Sequence, residues 1–155
     1  MALGFVFRLP KILFGEADST NCSYAQFGEW LMERVDMSKK ILISDDATFR
    51  RAQLRGILIE NQFAVYEATN GQEAIEKYEA YNPDLVFMDI IMPVMDGIAA
   101  TKAIRANHPD AVIVMCTSMG QQSMIIESVK AGAKDFIVKP FQPQRVLDCI
   151  KKLVA

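Results

Sequence analysis

Residues 85–97 read LVFMDIIMPVMDG, an apolar run that stops at a carboxylate, Asp89, ahead of Pro93, Asp96 and Gly97. Other short apolar runs end in the same manner. ILIS leads into Asp45 and Asp46, VIVMC into Thr117 and Ser118, and KDFIV into Lys139 and Pro140. Taken singly, each has an ordinary explanation: an aspartate caps a helix well, and a lysine or threonine commonly faces water. Taken together, three carboxylates, two hydroxyls and an ammonium have the parts for a particular chemistry. Clustered carboxylates raise one another's pKa unless a cation sits among them. A hard divalent ion with oxygen ligands, magnesium above all, would resolve the conflict, and no His or Cys stands among them to favour zinc. A magnesium site beside one lysine and one hydroxyl suits phosphoryl transfer, which depends on positioning and charge neutralisation. The nucleophile would be an aspartate forming an acyl phosphate.

Whether these groups meet depends on the elements that carry them. KKILIS reads as a strand, and ATFRRAQLRGILIEN as a helix with Phe49, Leu54, Ile57 and Leu58 along one face. The unit recurs as FAVYEA then GQEAIEKYEAY, DLVFMD then GIAATKAIRANH, AVIVMC then QQSMIIESVKAG, and KDFIVK then PQRVLDCIKKLVA. Five strands thus alternate with five helices. ILI, LVFM and VIVM are apolar without alternation, as strands of a parallel sheet are when helices cover both faces. Short connections and right-handed crossovers predict an open, doubly wound α/β sheet. Such sheets bind ligands outside the carboxyl ends of their strands, which is where Asp45, Asp46, Asp89, Thr117 and Lys139 all fall.

Composition narrows the alternatives. A chain of 155 residues with 51% hydrophobic and 23% charged residues is a globular protein with one main domain. Its net charge of -2 argues against an obligatory grip on nucleic acid or an acidic membrane. Residues 1–36 carry three basic and five acidic side chains, while residues 37–155 carry 14 of each, which places a boundary between 36 and 37. No apolar run approaches the ~20 residues that span a bilayer. The opening MALGFVFRLPKILFG is interrupted by Arg8 and Pro10, so secretion is not expected. Cys22, Cys116 and Cys149 lie far apart, as free thiols of a reducing cytoplasm do. His108, the sole histidine, leaves little support for Ser/His or Cys/His catalysis. It stands before Pro109, where an exposed helix-end residue is expected. The glycines form no phosphate-cradling motif.

ILISDD, LVFMDIIMPVMDG, MCTSMG and GAKDFIVKPFQP together resemble the receiver domain of bacterial two-component response regulators, in order and spacing, over residues 38–155. MGQQSMIIESVKAGAKDFIVKPFQP is most similar to the stand-alone chemotaxis members of that family. The carboxyl-edge rule was framed on folds that include those members, so its agreement adds no independent weight. The resemblance implies a flavodoxin-like five-stranded parallel sheet in the order 2-1-3-4-5 with five helices. It implies that Asp89 accepts phosphate from a histidine kinase, with Mg2+ held by Asp45, Asp46, Asp89 and the Ile91 backbone carbonyl. Thr117 would bond to a phosphoryl oxygen and Lys139 would pair with the phosphate, before a cis Lys139–Pro140 bond. Phosphorylation and dephosphorylation would be largely self-catalysed rather than the work of a conventional turnover enzyme. Phe136 holds the place of the family's switching aromatic, often tyrosine, and with Thr117 would remodel the face of the fourth helix, fifth strand and fifth helix. Ser44 stands where valine is common, and Ser118 where close relatives often have alanine.

The implied partners are a CheA-like histidine kinase, a FliM-like flagellar switch protein and a phosphatase, acting on a cytoplasmic monomer. With no effector domain after residue 155, output is expected through protein contact. A stand-alone receiver in another pathway, such as a phosphorelay intermediate, is the alternative. An aspartyl-phosphate phosphohydrolase would carry D-x-D after the first strand, and a flavin carrier a hydroxyl-rich loop; SDDATFRR is neither. Residues 1–36 either carry a short amphipathic helix in SYAQFGEWLMERVD or are upstream sequence, since MSKKILISDD resembles a normal beginning for the family.

Overall fold

In the computed structural model the apolar runs pair side by side as parallel strands. Residues 38–118 and 121–154 are described; the leading segment, its expected helix and Cys22 lie outside them. The strands are β1 (Lys40–Ser44), β2 (Ala64–Ala68), β3 (Leu85–Asp89), β4 (Ile113–Thr117) and β5 (Asp135–Val138). The helices between and after them are α1 (Thr48–Glu60), α2 (Gly71–Tyr81), α3 (Gly97–Asn107), α4 (Gln122–Ala131) and α5 (Pro143–Val154). The sheet order is β2-β1-β3-β4-β5, with every neighbouring pair parallel. This is the expected doubly wound, flavodoxin-like arrangement.

Every residue of β3 and β4 is buried, which is why these runs show no alternation of polar and apolar residues. Successive side chains still point to opposite faces. Ile41, Ile43, Phe87, Val114 and Cys116 pack with Leu54 and Leu58 of α1 and Val146 and Ile150 of α5. Leu42, Val86, Met88, Ile113 and Met115 pack with Tyr78 of α2 and Ala100 and Ile104 of α3. Each large aliphatic side chain withdrawn from water in this way contributes about 1.5–3 kcal/mol. Cys116 and Cys149 are buried free thiols in the first of these layers; burial pushes the Cys149 thiol up to about 11, so both serve packing. Among the described residues no helix is long and apolar enough to cross a membrane.

One expected face needs correction. Leu54, Ile57 and Leu58 of α1 are buried, but Phe49 is 78% exposed. Five residues separate Phe49 from Leu54, and at ~100° per residue that rotation carries its ring roughly 140° around the helix. His108 closes α3 as expected of a helix-end residue, but it is half-buried rather than exposed, its ring lying against Tyr78 and its Nε2 2.9 Å from Glu79 Oε1.

The start of α2 is fastened by side chains. Asn70 is the N-cap and accepts from the Glu73 amide, while Glu73 Oε2 accepts from the Thr69 amide and hydroxyl at 2.8 and 2.7 Å. Glu73 Oε1 is 2.7 Å from Lys77 Nζ. The hydrogen bond from Lys77, then those from Thr69, hold the Glu73 carboxyl at about 2, against an ordinary 4.5. A depressed folded pKa gives stability that is present above pH 4.5 and lost as pH falls towards 2. Glu73→Gln is therefore expected to cost about 1 kcal/mol at neutral pH, a typical capping loss. Urea unfolding should show the gap between the two proteins closing across that acid window.

Candidate functional site

Because all five strands run parallel, their carboxyl ends lie along one edge, and the residues leaving β1, β3 and β5 converge there. The carboxylates of Asp45, Asp46 and Asp89 each offer an oxygen within 4.8 Å of the others. Lys139, just past the end of β5, places Nζ 3.0 Å from Asp45 Oδ2 and 2.9 Å from Asp89 Oδ1. Asp45 and Asp89 are only 3% and 6% exposed, whereas Asp46 faces solvent. Asp45 does not cap α1. Ala47 is the N-cap residue, without a side-chain cap bond, and Asp45 Oδ1 accepts from its amide at 2.8 Å.

The loop between β3 and α3 keeps Asp89 in place. Asp96 caps α3 by accepting from the Ala99 amide, and the Gly97 amide donates to the Ile90 carbonyl at 2.8 Å. A β-carbon on Gly97 would run into the carbonyl oxygen of Asp89 well inside contact distance, so only glycine fits there. Val94, at φ 67°, is a β-branched residue in the left-handed region, where strain of this kind tends to gather at functional sites. The Lys139–Pro140 bond is cis, as the resemblance implied.

The two buried carboxylates are tuned in opposite directions. Burial would push Asp45 up, but hydrogen bonds from Arg50, the Ala47 amide and Lys139 outweigh it and hold the group below the usual aspartate value. Burial also acts on Asp89, where the pull of Lys139 does not offset it, so that carboxyl sits above the usual value. An all-oxygen donor set of three carboxylates, two of them buried, fits a hard divalent cation such as magnesium. Protons would compete with that ion at Asp89. Magnesium affinity is accordingly expected to start falling, as pH is lowered, at a higher pH than an ordinary aspartate of 3.8 would dictate. Calorimetric titrations between pH 8 and 4 check this; an affinity flat down to the ordinary aspartate range would contradict it.

Other predicted site residues are nearby but not bonded to this cluster. Thr117 is buried at the end of β4, and its hydroxyl faces the Ser118 carbonyl at 2.9 Å and Gln121 Oε1 at 3.1 Å. The Lys139 amide donates to the Thr117 carbonyl, tying the two strand ends together. Phe136 is 39% exposed on β5, and its carbonyl accepts from Arg145. Ile91 follows Asp89 by two residues in the loop, with an exposed side chain. Ser44 is buried, and its one hydroxyl proton has the Asn70 carbonyl and the Met92 sulfur as acceptors, each 3.3 Å away, so the polar substitution is satisfied.

Two residues escaped the sequence reading. Gln121 accepts from the Ser118 amide as well as from Thr117. Arg50 lays its guanidinium across all three carboxylates, with Nε 2.9 Å from Asp45 Oδ2 and a terminal nitrogen 3.1 Å from Asp46 Oδ1 and 3.5 Å from Asp89 Oδ2. Arg50 stands four residues after Asp46, but Asp46 precedes α1, so the helical pattern alone does not pair them.

A doubly wound sheet that gathers three aspartates and a lysine at its carboxyl edge has the form of a receiver domain. Residues 41–151 match the response regulator receiver domain, and the chain belongs to that family. It is 56% identical over 117 residues to the chemotaxis protein CheY of Bacillus subtilis, covering 75% of this chain and 98% of that one. Among solved structures it is similar to a CheX–CheY–BeF3–Mg2+ complex from Borrelia burgdorferi, with a TM-score of 0.72 and 32% identity over 79% of this chain and 95% of that one. NtrX from Brucella abortus also matches, with a TM-score of 0.72 and 29% identity; 76% of this chain is covered but only 27% of that longer one.

Proposed function

We propose that residues 37–155 form a phosphorylation-activated receiver that takes phosphate from a CheA-like histidine kinase onto Asp89 and signals by protein contact, in chemotaxis, to a FliM-like flagellar switch protein. The observation that carries this reading is the placement of Asp89 at the end of a fully buried strand, with one oxygen on Lys139 and the Asp45–Asp46 pair opposite. An Asp89 oxygen attacks the phosphorus of a phosphohistidine, the P–N bond breaks, the imidazole nitrogen regains a proton, and an acyl phosphate remains. Asp45, Asp46, Asp89 and the Ile91 carbonyl would hold magnesium, which would supply charge neutralisation at the phosphoryl oxygens. Lys139 gives its ammonium to the same oxygens.

Thr117 carries one hydroxyl proton, so bonding a phosphoryl oxygen means giving up Ser118 or Gln121 as acceptor. Phe136 then turns into the space beside Thr117. Phosphate shifts the population only by binding the rearranged form better. Ile126, Val129, Phe136 and Val138 are exposed along α4 and β5, an apolar surface suited to a partner protein. The relative crystallised with CheX supports a CheX-like partner, in the place of the expected phosphatase. The assignment to a cytoplasmic monomer, with residues 1–36 as an extension, belongs to the same proposal.

The test is a titration of the full chain with the N-terminal peptide of a flagellar switch protein, with and without magnesium and beryllofluoride, a mimic of phosphoryl on aspartate. Binding at least about tenfold tighter with the mimic, about 1.4 kcal/mol, and insensitive to it in Asp89→Asn, is expected. Equal affinity with and without the mimic would overturn activation by phosphate. Binding in neither state would reject the flagellar partner.

A further inference from the structure

Two cations, Lys139 and Arg50, face the three carboxylates, and their placements differ. Lys139 is largely buried and comes from β5, across the sheet edge. Arg50 is on the first turns of α1, its side chain 38% exposed, reaching back over the residues that precede its own helix. Its Nε donates to both Asp45 oxygens, at 3.0 and 2.9 Å, and its terminal nitrogen to Asp46 Oδ1 at 3.1 Å. The hydrogen bond it donates to Asp45, offset in part by burial, raises the guanidinium pKa further, so Arg50 is a fixed positive charge in this position.

From this geometry we infer that Arg50 is a tethered competitor of the divalent cation. It engages the oxygens that a metal would use, and a guanidinium and a magnesium ion cannot share them. Magnesium demands close oxygen ligands in near-octahedral geometry, while Asp45 spends both oxygens on the arginine fork. A metal entering the cluster therefore displaces the fork, and the exposed side chain of Arg50 gives it a route into solvent. Arg50 thus stabilises the metal-free fold and weakens apparent metal affinity, setting the magnesium concentration at which Asp89 becomes competent. Arg51, the next residue, has a different role: it donates to the Asp45 carbonyl and faces Glu67.

This inference rests on reading the cluster as a magnesium site, and its test separates the two. Magnesium is titrated calorimetrically into the metal-free full chain and into Arg50→Gln, Arg55→Gln and Asp45→Asn. Arg55→Gln makes the same charge change at a side chain that faces Glu67 instead. Arg50→Gln is expected to bind magnesium on the order of tenfold more tightly, the low end of ordinary coupling because Arg50 is partly solvated. Arg55→Gln should match the wild type. Without metal, Arg50→Gln melts at a lower temperature, and magnesium raises its melting point by more than it raises that of the wild type. A purely structural arginine would lower both melts equally.

Unchanged or weaker affinity in Arg50→Gln, or equal tightening in Arg55→Gln, would overturn the competition. Wild-type binding that survives Asp45→Asn would overturn the magnesium reading itself, and the inference with it. Should Arg50→Gln fail to fold, Arg50→Lys keeps the charge but loses the fork, and an affinity between wild type and a few-fold tighter is expected; weaker binding in it would count against the proposal.

Discussion

Asp89→Asn is expected to abolish labelling by a phosphohistidine donor, by at least about a hundredfold, or roughly 3 kcal/mol at 1.36 kcal/mol per decade. A carboxamide offers no anionic oxygen to phosphorus, and nothing else at the sheet edge replaces it: Asp46 is exposed, and Asp45 has both oxygens bound by Arg50. The same substitution should raise the melting temperature of the metal-free protein. Burial lifts the Asp89 pKa, so its contribution to stability is complete below the ordinary 3.8 and is lost as pH rises through the lifted value. An ionised Asp89 at neutral pH is a cost that asparagine avoids. Asp45→Asn should do the opposite, because Asp45 is held below its ordinary value despite burial, and its stabilisation is present above 3.8. Calorimetric melts of the two variants at pH 7 in chelator check the pair of signs. A carboxylate kept ionised against its own stability is the pattern of a functional group.

Gly97→Ala is expected to destabilise the fold by about 3 kcal/mol or more, near the top of the range for single substitutions, and to weaken magnesium binding with it. The added methyl would meet the carbonyl oxygen of Asp89 and also press on the Met88 side chain. Backbone cannot yield as a flexible side chain does. The loop must shift, and Asp89 with it, or α3 must begin farther from the sheet and give up the bond from the Gly97 amide to Ile90. Gly56→Ala is the control. It lies inside α1 with nothing near the new methyl, and should stabilise by about 0.4–1 kcal/mol through helix propensity and a restricted unfolded chain. Urea unfolding and magnesium titration on both variants decide the matter; a Gly97→Ala protein of wild-type stability would mean that the loop is not held as described.

Most of the site was legible in the sequence for a topological reason. In a parallel sheet every strand delivers its last residue to the same edge, so Asp45, Asp89 and Lys139 could be grouped from their order alone. Arg50 could not be found that way. It lies on a helix, and in a hydrophobic pattern a polar residue on the outer face of α1 is interchangeable with Arg51 and Arg55. Only the path of the chain from β1 into α1, which sets Arg50 over Asp45 and Asp46, distinguishes it. Phe49 failed for the complementary reason: apolar character was taken for burial, while its angular position on the helix points it away from Leu54. That Gln121 partners the Thr117 hydroxyl is a matter of side-chain placement past the end of β4, and no periodicity encodes it.

If Asp89 carries the phosphoryl group, chemical mapping will locate it there. The full chain is phosphorylated in magnesium, reduced with borohydride, which converts an aspartyl phosphate to homoserine, and digested for mass spectrometry. Homoserine at position 89, absent when magnesium is chelated, is the predicted result. Homoserine at position 45 or 46, or phosphate retained on His108, would contradict it.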